Sequence, residues 1–442
     1  MSSQIRRRDF VKQSIATGAS ITLAGHQVGA RILGANDRIR AGFIGLGRQG
    51  RSNLKGFIGQ PEVQVVALCD VYGAQLTQTL AETKLEVATY KDFRQVLDRK
   101  DIDVVVISTP DHWHALPTVA ACQAGKDVYV EKPISVTIDE GRKMVQAARK
   151  YNRIVQVGTQ QRSGLHYQRA VEIVRSGRLG KITFVRTWNY GNSSPEGIGH
   201  PPDGEPPADL DWDLWLGPAP KVPFNPNRFG VYPDRWSSFR WFWDYAGGML
   251  TDWGVHHLDI VHMVMGVDAP LAAAAAGGKY ALRDNRETPD TLLVTYEYPG
   301  FICTYENREV NAQASNGQGY GISFHGTEGT LFINRDGFEV IPEIRRMENK
   351  PVPRTEASRE KGSNNQHLAH VRNFLDAVKS RQAPIAEIEI GHRSTSAALF
   401  GNIALRAGRR IAWNAKTERI EGDPSAARYL TREYRKPWKL VV

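Results

Sequence analysis

Cysteine is scarce in this sequence. Three occur in 442 residues, Cys69, Cys122 and Cys303, none at metal-ligand spacing, and an odd, sparse set is no disulfide framework. Cys69 and Cys122 fall in apolar runs and read as small buried hydrophobes. Long hydrophobic runs are also missing. The apolar, uncharged stretch at 14–25 is too short to span a bilayer, and no later run is long enough. Blocks of one charge are absent as well. The net charge is +10, with 57 Lys+Arg against 47 Asp+Glu, but beyond residues 6–8 the basic side chains are scattered and accompany no nucleic-acid module. The charge therefore reads as solvated surface, not as a nucleic-acid footprint. What remains, 41% hydrophobic and 24% charged, is an ordinary globular composition, and the length allows two domains with cores of their own.

The N-terminus reads as a targeting segment. RRRDFVK at 6–12 precedes the run SIATGASITLAG at 14–25, and small residues follow. A positive region, a short apolar region and small residues describe a secretory signal. The pattern Arg7-Arg8-x-Phe10-x-Lys12 resembles the twin-arginine signal, with Arg6 standing where Ser or Thr is usual. Residues 1–35 are accordingly assigned as a signal peptide with cleavage near 28–30, and a periplasmic, exported protein is expected; a basic amphipathic tail is the other reading. The twin-arginine machinery carries folded proteins, so a cofactor would be loaded before export.

After the signal the pattern becomes strand, glycine loop, helix. The short strand RAGFIG (40–45) runs into Gly45-Leu46-Gly47-Arg48-Gln49-Gly50, and a second strand, VQVVALC (63–69), ends at Asp70. Each part has a mechanical reason in dinucleotide binding. Gly45 permits the tight turn, Gly47 lets backbone approach a pyrophosphate, and Gly50 lets helix and strand pack closely. The helix N-terminus offers free N–H groups to phosphate. Asp70 would take the adenosine ribose hydroxyls and repel a 2′-phosphate, which favours NAD; Arg48 could accept that phosphate, which keeps NADP open. Strands at 103–109, 127–130 and 154–158 alternate with helices near 73–83, 115–124 and 137–150, the pattern of a parallel, doubly wound sheet over 36–157. Ligands bind at the C-terminal ends of such strands. Two stretches fall there: STPDHWHA (108–115), with Thr109, Pro110, His112, Trp113 and His114, and the EKP tripeptide with Glu131 and Lys132. A partly desolvated Lys132 can exchange protons. At least one of His112, Trp113 and His114 is expected beside the nicotinamide, the others packing.

The stretch GGMLTDWGVHHLD (247–259) concentrates Asp252, His256, His257 and Asp259. In a regular helix Asp252 and His256 share a face, and a carboxylate that orients an imidazole makes a general acid/base. Two alternatives are a capped helix with structural histidines and a metal site built from the four side chains.

The glycine loop, the EKP tripeptide and G-G-x-x-x-D-x-G-x-H-x-x-D together resemble the Gfo/Idh/MocA oxidoreductase family, and TPDHWHA, GTQQR (158–162), GKI (180–182) and the tail from 387 to 438 resemble its exported bacterial branch. The resemblance covers nearly all of the chain after the signal. It implies an N-terminal Rossmann domain followed by a C-terminal α/β domain with a large, mostly antiparallel sheet over 158–442. It implies oxidation of sugar or cyclitol hydroxyls with NAD(P), with Lys132 as the family's lysine and Asp252 and His256 as its acid–histidine pair. Homo-oligomerisation through the large sheet is implied in the same way.

In the second half, strand 181–190 should start the large sheet, and strands 291–298, 301–308, 322–326 and 330–335 should continue it. The Pro- and Gly-rich segment 191–235 reads as ordered loop over the site, 343–365 as surface loop, and 366–380 and 393–407 as closing helices. Six tryptophans, Trp188, Trp212, Trp215, Trp236, Trp241 and Trp243, fall together; most should be packing anchors, with one or two facing a sugar. Gln161, Arg162, Tyr190 and Trp241 are candidates for the substrate, with His257 secondary and Asp259 a supporting or substrate contact. The expected function is hydride transfer between a carbohydrate hydroxyl and a tightly bound NAD. Two rival readings are a glycosidase that recycles NAD through transient oxidation, elimination and water addition, and a non-catalytic sugar-binding protein.

Overall fold

The structure is a computed structural model that describes residues 38–232, 237–315, 317–347 and 350–442. The signal-peptide assignment at 1–35 and Trp236 lie outside the described residues. The first half alternates strand and helix: β1 (Ile39–Ile44), α1 (Arg48–Ile58), β2 (Val63–Cys69), α2 (Gly73–Thr83), β3 (Ala88–Tyr90), α3 (Phe93–Asp98), β4 (Val104–Ile107), α4 (Ala115–Gln123), β5 (Asp127–Val130), α5 (Ile138–Lys150) and β6 (Val155–Val157). The six strands are parallel, in the order β3-β2-β1-β4-β5-β6. β4, β5 and β6 are buried along their whole length, as expected for strands covered by helices on both faces. Strand order reverses between β1 and β4, and that switch point opens a crevice at the strands' C-terminal ends. α5 begins with a capping box, Thr137 Oγ1 accepting from Glu140 N while the Glu140 carboxylate accepts from Thr137 N.

The second half opens with α6 (Leu165–Arg175) and β7 (Ile182–Tyr190). The segment that follows holds two short helices, α7 (Trp212–Leu216) and α8 (Pro226–Phe229), pinned by its own aromatic cluster of Trp212, Trp215, Phe224, Phe229 and Tyr245. A single π turn over Leu250–Gly254 then leads into α9 (Val255–Met265). Strands β8 (Ala272–Gly278), β9 (Thr291–Tyr298), β10 (Phe301–Arg308), β11 (Tyr320–Gly326), β12 (Gly329–Asn334), β13 (Gly337–Pro342), β14 (Ile344–Met347), β15 (Lys350–Pro353) and β16 (Ser358–Lys361) precede α10 (Gln366–Ser380) and α11 (Ile388–Ala407). The chain closes with β17 (Ile411–Asn414), β18 (Arg419–Glu421) and α12 (Pro424–Ala427). Ten strands form one sheet, β16-β13-β12-β11-β7-β10-β9-β8-β17-β18, antiparallel except where β7 runs parallel to β10. Alternation along β9 and β10 buries Leu292, Val294, Tyr296, Cys303 and Tyr305 against α9 and α11.

Two local expectations change. The 343–365 segment is a two-stranded hairpin, β14–β15, plus the edge strand β16. Its side chains are nearly all exposed, so no burial alternation marked it. The last long helix starts at Ile388, five residues before the expected 393, because Glu387 caps it by accepting from Glu389 N. The alanine run 272–278 is strand β8.

Candidate active site

One cavity of about 730 Å³ collects the glycine loop, the ends of β4 and β5, the π turn and the turn after β12. The loop's three glycines differ in what surrounds them. Gly45 has φ +87°, and a β-carbon there would meet the Ser108 and Thr109 backbone at 2.7 Å. A β-carbon at Gly50 would overlap the Gly45 carbonyl oxygen, whereas nothing lies within 4 Å of one built on Gly47. The first and third glycines are thus required by packing of the protein on itself. The middle one opens onto the cavity at the start of α1, where backbone N–H groups and the helix dipole favour phosphate. Asp70 accepts from Leu46 N at 2.7 Å and Tyr72 N at 2.9 Å and lines the cavity. Burial raises its carboxyl to about 6, against those two bonds. Arg48 and Gln49 line the same wall, and Gln49 Nε2 donates to Glu131 Oε1 at 3.1 Å. These residues fit a dinucleotide.

The strand ends divide by role. Thr109, Pro110, Trp113, His114, Glu131 and Lys132 line the cavity; His112 does not. His112 Nε2 and Trp113 Nε1 both lie against the Trp215 carbonyl oxygen, at 3.0 and 2.8 Å. His114 lies between two backbone carbonyls, Pro133 (Nδ1, 2.7 Å) and Thr109 (Nε2, 2.8 Å), and burial lowers it to about 4, so the neutral ring donates to one of them at a time. It ties the β4 end to the β5 end. Glu131 accepts from Asn53 Nδ2 at 2.9 Å as well as from Gln49, so its carboxylate anchors α1 to the sheet.

Lys132 reaches across to the second half. Its Nζ donates to Asp252 Oδ1 at 2.8 Å and to the Asp252 carbonyl oxygen at 3.0 Å, and Arg240 Nε stands 3.4 Å from Asp252 Oδ2. Burial pushes the Asp252 carboxyl up, but Arg240 and Lys132 outweigh it, and the net shift is well below the usual carboxylate range. The expectation that Asp252 orients His256 is therefore corrected. Asp252 sits in the π turn, where i→i+5 bonding breaks the i,i+4 register, and its carboxylate turns to the two cations. His256 lines the cavity independently. Its Nδ1 is buried without a hydrogen-bond partner among the described residues, which leaves Nε2 toward the cavity. Burial, then Lys132 and Arg335, hold the imidazole well below its ordinary value, so it is uncharged.

Other expected contacts lie elsewhere. Arg162 is 7% exposed and makes a bidentate pair with Asp259, its Nε 2.9 and 2.7 Å from the two carboxylate oxygens. Both are structural because the carboxylate is also closed off by Ser394 Oγ at 2.7 Å. Tyr190 is outside the cavity; its hydroxyl donates to Glu306 Oε2 at 2.8 Å on the neighbouring strand β10. His257 is 1% exposed beside Trp253 and Tyr305, and burial lowers it to about 3. Asp252, His256, His257 and Asp259 thus point apart and do not converge as a metal site. Gln161 and Trp241 do line the cavity. Of the six clustered tryptophans, Trp215 and Trp241 line it, Trp212 stacks on Trp215, and Trp188 and Trp243 lie under Arg186 and Arg406. Asp111, Arg240, Trp253, Glu309 and Arg335 also line it and were not singled out. Asp111 stands directly after β4, where the strand-end rule already pointed; burial raises it to about 8. Arg335, in the turn after β12, carried no signal in sequence.

A glycine loop at a doubly wound switch point, opposite a lysine, a histidine and an acid, defines a nicotinamide-cofactor oxidoreductase class. Residues 39–159 match the oxidoreductase family Gfo/Idh/MocA, NAD-binding Rossmann fold, and residues 187–440 match its C-terminal alpha/beta domain. The chain belongs to the Gfo/Idh/MocA oxidoreductase family and carries an NAD-binding Rossmann domain. It is 31% identical over 158 residues to an inositol 2-dehydrogenase of Salmonella typhimurium, covering 35% of this chain and 47% of that one. It is 30% identical over 203 residues to a glycosyl hydrolase family 109 protein of a Shewanella strain, covering 40% and 44%. The chain thus spans a little under half the length of the curated relatives it matches. Among solved structures it is similar in fold to an aldose-aldose oxidoreductase from Caulobacter crescentus, with a TM-score of 0.63, 20% identity, and coverage of 85% of this chain and 99% of that one. The levoglucosan dehydrogenase structure with NADH and levoglucosan gives the same TM-score of 0.63 at 16% identity, covering 85% and 99%.

Proposed function

We propose that this chain transfers a hydride between a carbohydrate or cyclitol hydroxyl and nicotinamide. The observation that carries the reading is the convergence of Asp70 and the glycine loop with Lys132, Asp252 and His256 in one cavity. NAD, when bound along the loop, supplies the hydride acceptor. NAD is preferred to NADP because the Asp70 carboxylate faces the position a 2′-phosphate would take. The chain's own residues manage the proton. Asp252, itself held by Arg240, fixes Lys132, whose ammonium donates to the substrate oxygen and stabilises its developing negative charge. Uncharged His256 accepts the hydroxyl proton at Nε2. Trp241 and Trp253 line the cavity and offer apolar surface to a ring's C–H bonds. The test is NADH formation from a panel of sugars and cyclitols, with Lys132→Met and His256→Ala as controls. Full activity in both variants contradicts the assignment.

A second reading is supported by Asp111. A cavity carboxyl kept protonated to about pH 8 can donate a proton to a leaving oxygen, which net oxidation does not need. That supports redox-neutral glycoside cleavage with tightly bound NAD, in keeping with the family 109 relatives. Release of nitrophenol from an aryl glycoside without net NADH, by protein that copurifies with stoichiometric NAD, favours it. Export completes the reading: cell fractionation should place the protein in the periplasm, and Arg7→Lys with Arg8→Lys should hold it back. Leu293, Ile302 and Ile341 are exposed on the large sheet and support a homo-oligomer, which sedimentation tests.

A further inference from the structure

One cation of the cavity has no acid to balance it. Arg335 stands in the turn between β12 and β13. Gln366 Nε2 donates to its carbonyl oxygen at 3.2 Å, and Gly362 N donates to the Asp336 carbonyl oxygen at 2.7 Å, so the turn is held from the α10 side. The guanidinium lies over Trp253, 4.5 Å from the ring centroid, and Nε donates to the Gln161 side-chain oxygen at 3.3 Å when that amide is oriented to satisfy its neighbours. Lys132 and Arg240 both pair with Asp252, whereas Arg335 pairs with no carboxylate among the described residues. It is nonetheless near enough to act on both Asp252 and His256.

The charge at this end of the cavity is lopsided. Lys132, Arg240 and Arg335 face one firmly ionised carboxylate, Asp252. Of the other carboxyls, Asp111 and Glu309 are raised chiefly by burial, to about 8 and about 7, and give up their charge readily, while Glu131 is engaged by Gln49 and Asn53. Arg335 is exposed and solvated where it lines the cavity, but Trp253 and Gln161 restrain its guanidinium, which leaves its remaining N–H donors available to an anionic group on a bound ligand.

We propose that Arg335, backed by Trp253 and Gln161, is a carboxylate subsite, and that the substrate is an acidic sugar such as a hexuronate or an aldonate. The inference rests on the oxidoreductase reading above, which places the reacting hydroxyl at Lys132 and His256. Paired N–H donors of a guanidinium match the two oxygens of a carboxylate, and the aromatic face below restrains the arginine's motion.

The test uses the purified full chain saturated with NADH and titrated calorimetrically with glucuronate and galacturonate against glucose and galactose. NADH formation from the same pairs with NAD is measured in parallel. The acidic member of a pair should bind up to about 5-fold more tightly, less at high salt because the arginine is exposed. Arg335→Gln should bring the acid down to the level of the neutral sugar without changing NADH affinity, and Arg335→Lys should keep part of the preference. Equal binding of acid and neutral sugar, binding of neither, or a preference that survives Arg335→Gln overturns the subsite. Acid-selective binding with no NAD reduction by either sugar keeps the subsite and removes the oxidoreductase reading. Oxidation of neutral sugars in preference to acids does the reverse.

Discussion

Two ion pairs hang from one helical run. Asp252 pairs with Lys132 and Asp259 pairs with Arg162, yet the side chains of the first pair are 22% and 16% exposed and those of the second 1% and 9%. In the second pair every strong interaction turns inward. Arg162 grips both oxygens, Ser394 takes one of them, and Arg162 Nη2 donates to the Asp259 carbonyl at 3.3 Å. In the first pair the acid is shared by two cations and the group faces a cavity. The backbone makes the difference. Asp259 lies in regular α9, while Asp252 lies in the π turn that redirects its carboxylate. The same residue types on one helix therefore serve cohesion when closed off and face the cavity when left open.

That contrast can be broken from either side. The largest effect is expected from His256→Ala, which should lower kcat by about 10²–10⁴-fold while the thermal unfolding midpoint stays near wild type. Arg162→Ala should do the opposite, costing about 3–5 kcal/mol in urea unfolding because it leaves a buried carboxylate uncompensated, with kcat of the folded fraction preserved. Asp70→Ala should raise the relative efficiency with NADP about tenfold, read as the ratio of kcat/KM for the two cofactors.

The pH profile sharpens the account next. His256 has its pKa depressed by burial, Lys132 and Arg335, so its neutral, proton-accepting form persists as pH falls below the ordinary histidine value of about 6.5. Oxidation should therefore hold its rate through that range. Asp111 is raised to about 8, so glycoside cleavage, if present, should fall as pH rises through that value, and Asp111→Asn should remove that limb. The smallest effect belongs to Tyr190→Phe. With the hydroxyl bonded to Glu306 outside the cavity, it should change kcat/KM by less than about twofold.

Much of this architecture was legible in sequence because it repeats a physical rule. The glycine loop declares itself through spacing, and β4 through an unbroken apolar run. Strand ends then locate Lys132 and the Asp111–His114 turn without further information. The π turn was not legible, since an extra residue in a helical turn leaves no mark on polarity, and the i,i+4 pairing of Asp252 with His256 failed there. Arg162 and Tyr190 were misplaced because a polar residue near a motif does not say which face it takes; Asp259 and Glu306 decide that, and both come from other elements. Arg240 reaches the cavity from the segment after β7, and Glu309 and Arg335 from the ends of β10 and β12, so only tertiary packing brings them together.

The most direct measurement follows label into the cofactor. Protein loaded with NAD is incubated with carbon-deuterated sugars, including hexuronates, and the recovered cofactor is analysed by mass spectrometry under single-turnover conditions. Deuterium on the nicotinamide with wild type, and its loss with His256→Ala and Lys132→Met, is the predicted result when the turnover is quenched before any return of the hydride. Sugar conversion with no deuterium in the cofactor, or equal labelling in both variants, contradicts the account.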